Sequence, residues 1–424
     1  MSSLIARCAI TVAALSVCAA HAGSDELSRQ SLPDYRVLNL SSLGGTVSSA
    51  NSINDDGLVA GFSNLAGDNN RHAMLWLYGF PFELGTLGGP NSNVPWPQKN
   101  TIGLIAGIAQ TATPEPNQET WSCRSFFATP TRSGFTCLGV VWENGRIREL
   151  PTLGGNNGFA TGTNNQRQIV GWAENTVQDP TCVRPQVLQF RAVLWGPGEN
   201  QKQELPPLPL HSVSAATAIN DKGQVVGISG ICNTAVGSAS ARSAVLWENG
   251  KPQDIGNLGG IAWNTPMAIN QRGDIVGFSN ISADDGNNFN AHAFVKLQGR
   301  PIQDLGVLEG DSLSQGLGIN EKRQVVGLSC TAGFGSCRAF VWQNGVMIDL
   351  NEHRQPGYTD HLYTANDINE RGEIAGQAVT PGTENYSAFW AVPVPRQHGD
   401  DDDASAATAR ARVELLKERI GLTD

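Results

Sequence analysis

Seven times along the chain an asparagine is followed, seven residues later, by a glycine that closes a short apolar run. The asparagines are Asn54, Asn100, Asn164, Asn220, Asn270, Asn320 and Asn369; the closing glycines are Gly61, Gly107, Gly171, Gly227, Gly277, Gly327 and Gly376. A further glycine stands three residues after the asparagine in five copies, and Arg167 and Arg323 replace it in the others. Neighbouring closing glycines lie 46 to 64 residues apart, and 49 or 50 apart in the last three intervals. A second apolar run follows each copy, as in Ala192-Val193-Leu194-Trp195 and Ala339-Phe340-Val341-Trp342. Turns such as Glu143-Asn144-Gly145 and Gln343-Asn344-Gly345 come next. Asn-Gly predicts a tight hairpin, because both residues tolerate positive φ. A last short run leads into a Gly-Gly loop, as at Leu84 to Gly89.

Each unit therefore predicts four short strands, a to d. Strand a ends at the repeated asparagine, and a long variable loop joins b to c. One such sheet cannot bury both faces, whereas radial stacking buries them between neighbours. A period near 50 with β-type runs is in the range of propeller blades. The seventh unit stops after strand c, at Trp390 to Val394, and the chain begins with a spare strand, Tyr35 to Leu40. A shared unit would remove the open edge. The prediction is all-β: a single seven-bladed β-propeller of four-stranded antiparallel blades over residues 35–395, closed by the N-terminal strand completing the last blade.

Leu84-Gly85-Thr86-Leu87-Gly88-Gly89, Ile53-Asn54-Asp55-Asp56-Gly57, Gln224-Val225-Val226-Gly227 and His292-Ala293-Phe294 resemble the HAF repeats of probable extracellular bacterial proteins. The resemblance covers roughly residues 35 to 395 and implies export and a β-repeat fold, with no activity to transfer. Two places depart from the pattern. Strand a of the second unit is weak, and Leu205-Pro206-Pro207-Leu208 replaces a Gly-rich loop before the fourth.

Arg7, an apolar stretch from Cys8 to Ala20 and the small-x-small site Ala20-His21-Ala22 predict a signal peptide over 1–22. Residues 23–34 read as a linker, and 396–424 as an acidic linker with a short C-terminal helix. The stretch is too short to span a bilayer, so the mature chain is expected to be secreted or periplasmic and not membrane-spanning. Six cysteines follow the signal peptide. In an oxidising compartment an even count favours disulfides. Placement in the b–c loops predicts Cys123–Cys137 and Cys330–Cys337 within units, and Cys182–Cys232 between the third and fourth.

Composition narrows the function. Charged residues are 16% of the 424, and the net charge of −10 leaves no electrostatic footprint for nucleic acid. HExxH, P-loop, dinucleotide and Gly-x-Ser-x-Gly signatures are missing. The repeated asparagines and strand-c tryptophans read as turn and packing residues. Asp284, Asp285 and Asn287 form an oxygen-rich cluster that is a weak calcium candidate; no other cofactor is implied.

Residues that break the repeat are the better site candidates. With strand a innermost, the d–a and b–c loops share one end of the molecule. There Trp96, His211, Trp263, Asn264, Tyr358, Asp360 and His361 put rings beside amides and carboxylates, which suits a glycan. The expected function is a non-catalytic exported propeller that binds a glycan or an extracellular protein through this end. The alternative is a polysaccharide-cleaving lyase or hydrolase, with His211, His361, Tyr358 and Arg354 as base, acid and carboxylate neutraliser. Nothing in the sequence fixes the oligomeric state.

Overall fold

The computed structural model describes residues 32–394, apart from 120, 128–130, 132–133, 199–200, 234–236 and 282–287, together with 413–415, 417–418 and 421. The signal peptide and most of the two linkers lie outside the described residues. The chain is all-β and propeller-like, built from four-stranded antiparallel sheets. After an initial strand, β1 (Tyr35–Asn39), the first unit comprises β2 (Gly44–Ile53), β3 (Leu58–Leu65), β4 (Arg71–Leu77) and β5 (Phe80–Glu83). The second is β6 (Gly88–Asn93), β7 (Ile105–Pro114), β8 (Phe135–Glu143) and β9 (Arg146–Glu149), with helix α1 (Trp121–Phe126) inserted between β7 and β8. The third is β10 (Gly154–Thr163), β11 (Ile169–Gln178), β12 (Leu188–Trp195) and β13 (Lys202–Leu205). The fourth is β14 (Val213–Ile219), β15 (Val225–Gly230), β16 (Ser243–Glu248) and β17 (Lys251–Asp254). The fifth is β18 (Thr265–Ile269), β19 (Ile275–Asn280), β20 (Ala291–Lys296) and β21 (Ile302–Gly306). The sixth is β22 (Leu313–Ile319), β23 (Val325–Cys330), β24 (Cys337–Gln343) and β25 (Val346–Asp349). Last come β26 (His361–Ile368), β27 (Ile374–Val379) and β28 (Tyr386–Pro393).

Each unit is a meander in sequence order, and β1 pairs antiparallel with β28, from Tyr35 opposite Pro393 to Asn39 opposite Phe389. A single parallel bridge, Val47 to Tyr386, links this last group to the first unit. The repeated residues explain the local geometry. Asn320 Oδ1 accepts from the backbone N–H of Lys322 and Gln324, and the other six asparagines do the same at their own turns. The turn needs positive φ three residues after the asparagine. Glycine supplies it in five copies, and Arg167 and Arg323 adopt it at 61° and 62°. The closing glycine has a different cause. A Cβ at any of the seven would lie 1.9–2.2 Å from a carbonyl oxygen of strand a. In six units this contact sits beside a β-bulge, where strand a bends toward its partner.

Between units the core is apolar. The strand-c tryptophans Trp76, Trp195 and Trp247 are at most 2% exposed. Their indole N–H groups donate to Ser41, Pro151 and Pro206, each in the loop that leads into the tryptophan's own unit. All three predicted disulfides are present: Cys123–Cys137, Cys182–Cys232 and Cys330–Cys337. No helix among the described residues is long and apolar enough to cross a membrane.

The second unit departs where the sequence does. β6 stops at Asn93, and Pro95 and Pro97 leave no N–H to pair. The amide of Gln98 substitutes for a ladder: its Nε2 donates to Thr161 O, its Oε1 accepts from Ala106 N–H, and its backbone N–H reaches Ser52 Oγ.

The asparagine amides also bridge units. Nδ2 of Asn54 donates to Asn100 O, Asn164 to Asn220 O, Asn220 to Asn270 O, Asn270 to Asn320 O, Asn320 to Asn369 O, and Asn369 to Asn54 O, at 3.0–3.2 Å. Asn100 instead reaches Thr163 Oγ1 of the third unit. Replacing buried Asn320 by Ala removes the amide and strands its donors and acceptor, so a loss of about 2–4 kcal/mol is expected in denaturant unfolding. A loss below about 1 kcal/mol would show that these amides carry little.

Candidate functional site

The b–c and d–a loops lie at one end, and the a–b and c–d turns at the other. The loop end gathers rings. Trp263 precedes β18 at a φ of 58°, and its ring lies 5.4 Å from that of Phe289 in the b–c loop of the same unit. Phe289 lies 5.6 Å from Phe278 and 5.2 Å from Phe334, which comes from the b–c loop of the sixth unit. Ile261, Ile281 and Phe334 are 53%, 40% and 39% exposed around this cluster. In the next unit Tyr363 meets Tyr386 edge-on at 5.6 Å. Arg338, in the strand after Phe334, is held by Asp311 at 2.9 Å and Asp349 at 3.2 Å.

The residues singled out from the sequence fall into different places. Trp263 is in the ring cluster. Trp96 is buried, packed edge-on against Phe126 at 5.7 Å and Phe159 at 5.4 Å. Asn264 is fully buried and ties its loop together, donating to Arg242 O and Gly260 O and accepting from Ser279 Oγ. His211 shares a hydrogen bond of 2.9 Å with Ser229 Oγ; burial, with Arg242 nearby, lowers its pKa. The stretch before β26 clasps the N-terminal strand. Tyr358 donates to Asn39 Oδ1 at 2.6 Å, Asp360 accepts from Asn39 Nδ2 at 2.8 Å, and Gln355 N–H donates to Tyr35 O. Burial, then the neighbouring Asp360, raises the Tyr358 pKa. Arg354 donates to the carbonyls of Asn351 and Asp360, and His361 Nε2 meets Cys337 O at 2.7 Å. The structure thus brings Arg354, Tyr358 and Asp360 together around β1, while His211 is bonded within the fourth unit. Asp284, Asp285 and Asn287 lie outside the described residues.

Two polar features were not read from the sequence. At the a–b turn end an axial cavity of about 220 Å³ opens, lined among others by Asp55, Asn165, Asp221, Gln271, Glu321 and Glu370. The backbone N–H of each lining residue donates to the side chain of the next, from Thr101 to Asn165 and on to Asp55. Burial, then Asp55 and Glu321, raises the Glu370 pKa. Below this belt, Ile53, Ile219, Ile269, Ile319 and Ile368 stand one residue before their asparagines, each at most 2% exposed. Lys99 takes that position in the second unit and pairs with the fully buried Asp367. One sequence signal was available: Lys99 is the single charge among the residues that precede the repeated asparagines.

The other feature is a buried carboxylate cluster beside the second and third units. Glu115, Glu119 and Glu174 are 6%, 1% and 1% exposed. Glu119 Oε1 accepts from Val187 and Leu188, Glu115 accepts from Glu119 N–H, and Glu174 Oε2 accepts from Asn156 and Asn157. Gln186 Nε2 lies between Glu174 at 2.8 Å and Glu119 at 3.5 Å.

No protein-family model and no curated protein matches the chain. Solved structures to which it is similar include dipeptidyl peptidase 4 of Porphyromonas gingivalis, at 10% identity over 78% of this chain and 50% of that one, with a TM-score of 0.36. Trypanosoma rangeli sialidase is another, at 8% identity over 91% of this chain and 56% of that one, with a TM-score of 0.39. The chain spans about half the length of these proteins.

Burial, then the Glu119 carboxylate, pushes the Glu174 pKa up to about 8. An acid raised on folding binds its proton more tightly in the native state. Its contribution is complete below the ordinary glutamate range and is lost as pH rises through about 8. Stability should therefore fall between about pH 5 and 9, by up to about 1.4 kcal/mol per pH unit from this group. Glu174→Gln should flatten that fall; an unchanged pH profile in the variant would refute the assignment.

Proposed function

We propose that the protein is an exported, non-catalytic binding protein on a closed seven-bladed propeller of the HAF-repeat type, and that it engages a glycan through its loop-bearing end. The observation that carries this reading is the ring cluster. Trp263, Phe289 and Phe334 come from three loops of two adjacent units, and Phe334 is partly open to solvent. An aromatic face stacks on the apolar face of a pyranose at little cost in side-chain freedom, and Arg338 and Asp311 of the sixth unit supply polar groups. Exposed Ile261, Ile281 and Phe334 belong to the loops that bear these rings. The catalytic alternative is less well supported, since Arg354, Tyr358 and His361 are hydrogen-bonded within the clasp and its neighbouring strand. Three disulfides are compatible with a secreted or periplasmic protein.

Closure is supported by the β1–β28 ladder and by the Asn369 to Asn54 bond. Deleting residues 35–45 removes the ladder and the clasp's partner Asn39; the truncated chain should lose several kcal/mol. An unchanged melting temperature would rule closure out.

The binding reading is tested on a glycan array followed by titration of the best hit. Trp263→Ala and Phe334→Ala should each weaken binding about tenfold or more, with melting unchanged to within a few degrees. Arg272→Ala, at the opposite end, should leave affinity unaltered. Equal affinity in all three variants would refute the site, and release of new reducing ends during the titration would move the protein to the enzymes.

A further inference from the structure

The C-terminal segment lies against the seam between the first and second units, on the side away from the ring cluster. Residues 413–415 and 417–418 are helical. Val413 is 4% exposed and belongs to the same apolar cluster as Leu75, Ile105 and Trp142. Lys417 Nζ lies 5.3 Å above the ring of Phe82. Gly421, at a φ of 68°, is pressed so closely on the c–d turn of the second unit that a Cβ there would lie 2.7 Å from Asn144 Cα. Val413 and Lys417 are four residues apart and so share one helix face, and Gly421 follows four residues further on. Leu415, off that stripe, is 67% exposed.

Strand d of the first unit sets this groove apart. In the first unit Leu75 of strand c faces Phe82 of strand d. The residues facing the matching strand-c position in the next five units are Arg148, Gln203, Gln253, Gln303 and Ile348. Phe82 therefore gives this seam an aromatic wall that four of the others replace with a polar side chain. Beside it remains a small cavity of about 50 Å³ lined by Leu84, Ile105, Trp142 and Asn144.

We propose that this groove is a helix-docking site whose occupant is the chain's own C-terminal segment, held in cis and exchangeable with the same segment of a second copy. Recognition rests on an apolar residue in the seam, a cation on the Phe82 ring and a glycine four residues further on, where the Asn144 turn leaves no room for a side chain. When the segment leaves, an apolar seam opens that accepts a helix of this pattern in trans.

The test uses the full chain and a labelled peptide of residues 404–424. The Val413→Asp chain, whose own segment no longer seats, should bind the peptide at least tenfold more tightly than the unaltered chain, in which the cis segment competes. Adding Phe82→Gln to that variant should weaken binding at least tenfold, and a peptide carrying Gly421→Val should bind as poorly. A chain ending at residue 403, which has no cis segment to compete, should bind the peptide as tightly as the Val413→Asp chain. No binding to the truncated chain, no binding to the Val413→Asp chain, or equal binding with and without Phe82→Gln would each overturn the proposal.

Discussion

The amide of the repeated asparagine is the constraint on which the rest depends. Its oxygen closes the a–b turn of its own unit, and in six of the seven copies its nitrogen reaches the backbone of the next. One side chain thus fixes both a local turn and the relation between neighbours. Aspartate lacks the donor, and glutamine places both groups one carbon too far out. The closing glycine, seven residues on, follows from the close approach of strand a, which brings a carbonyl onto that position in every unit, beside a bulge in six of them. The spacing is therefore a record of two contacts, and it tolerates loops of very different length between copies.

That is why so much of the architecture was legible beforehand. Turns, strand order, the Asn-Gly hairpins at Asn144, Asn249 and Asn344 with φ of 51–53°, and all three disulfides follow from local chemistry repeated along the chain. The candidate site was legible only in part. Trp263 could be found because it breaks a repeat at the loop end. Its neighbours Phe289 and Phe334 could not, since they sit in variable loops with no template to depart from.

Departure from the repeat proved to have more than one cause. The stretch from Glu352 to Thr364 is the richest in polar and aromatic residues, and Tyr358 and Asp360 there hold Asn39, some 320 residues earlier in the chain. Gln98 departs because two prolines removed the hydrogen bonds of a strand. The clasp does not show in a sequence window, because Asn39 lies far away along the chain; the prolines do show, but not Thr161 and Ser52, the partners that Gln98 takes in their place. The same holds for Glu115, Glu119 and Glu174, ordinary surface residues by type, which become buried only when the insertion of the second unit folds against the b–c loop of the third.

The isoleucines one position before the repeated asparagines, with Lys99 and Thr163 in that place in the second and third units, lie beneath the belt of backbone-anchored side chains. Four of them, Ile53, Ile269, Ile319 and Ile368, line the same cavity as Asp55, Asp221, Glu321 and Glu370, and Lys99 is the one cation in that lining among the described residues. A solute entering there would pass from an anionic rim to a hydrocarbon surface within one residue of chain. A cation gathered at the rim would find no comparable partner among the isoleucines.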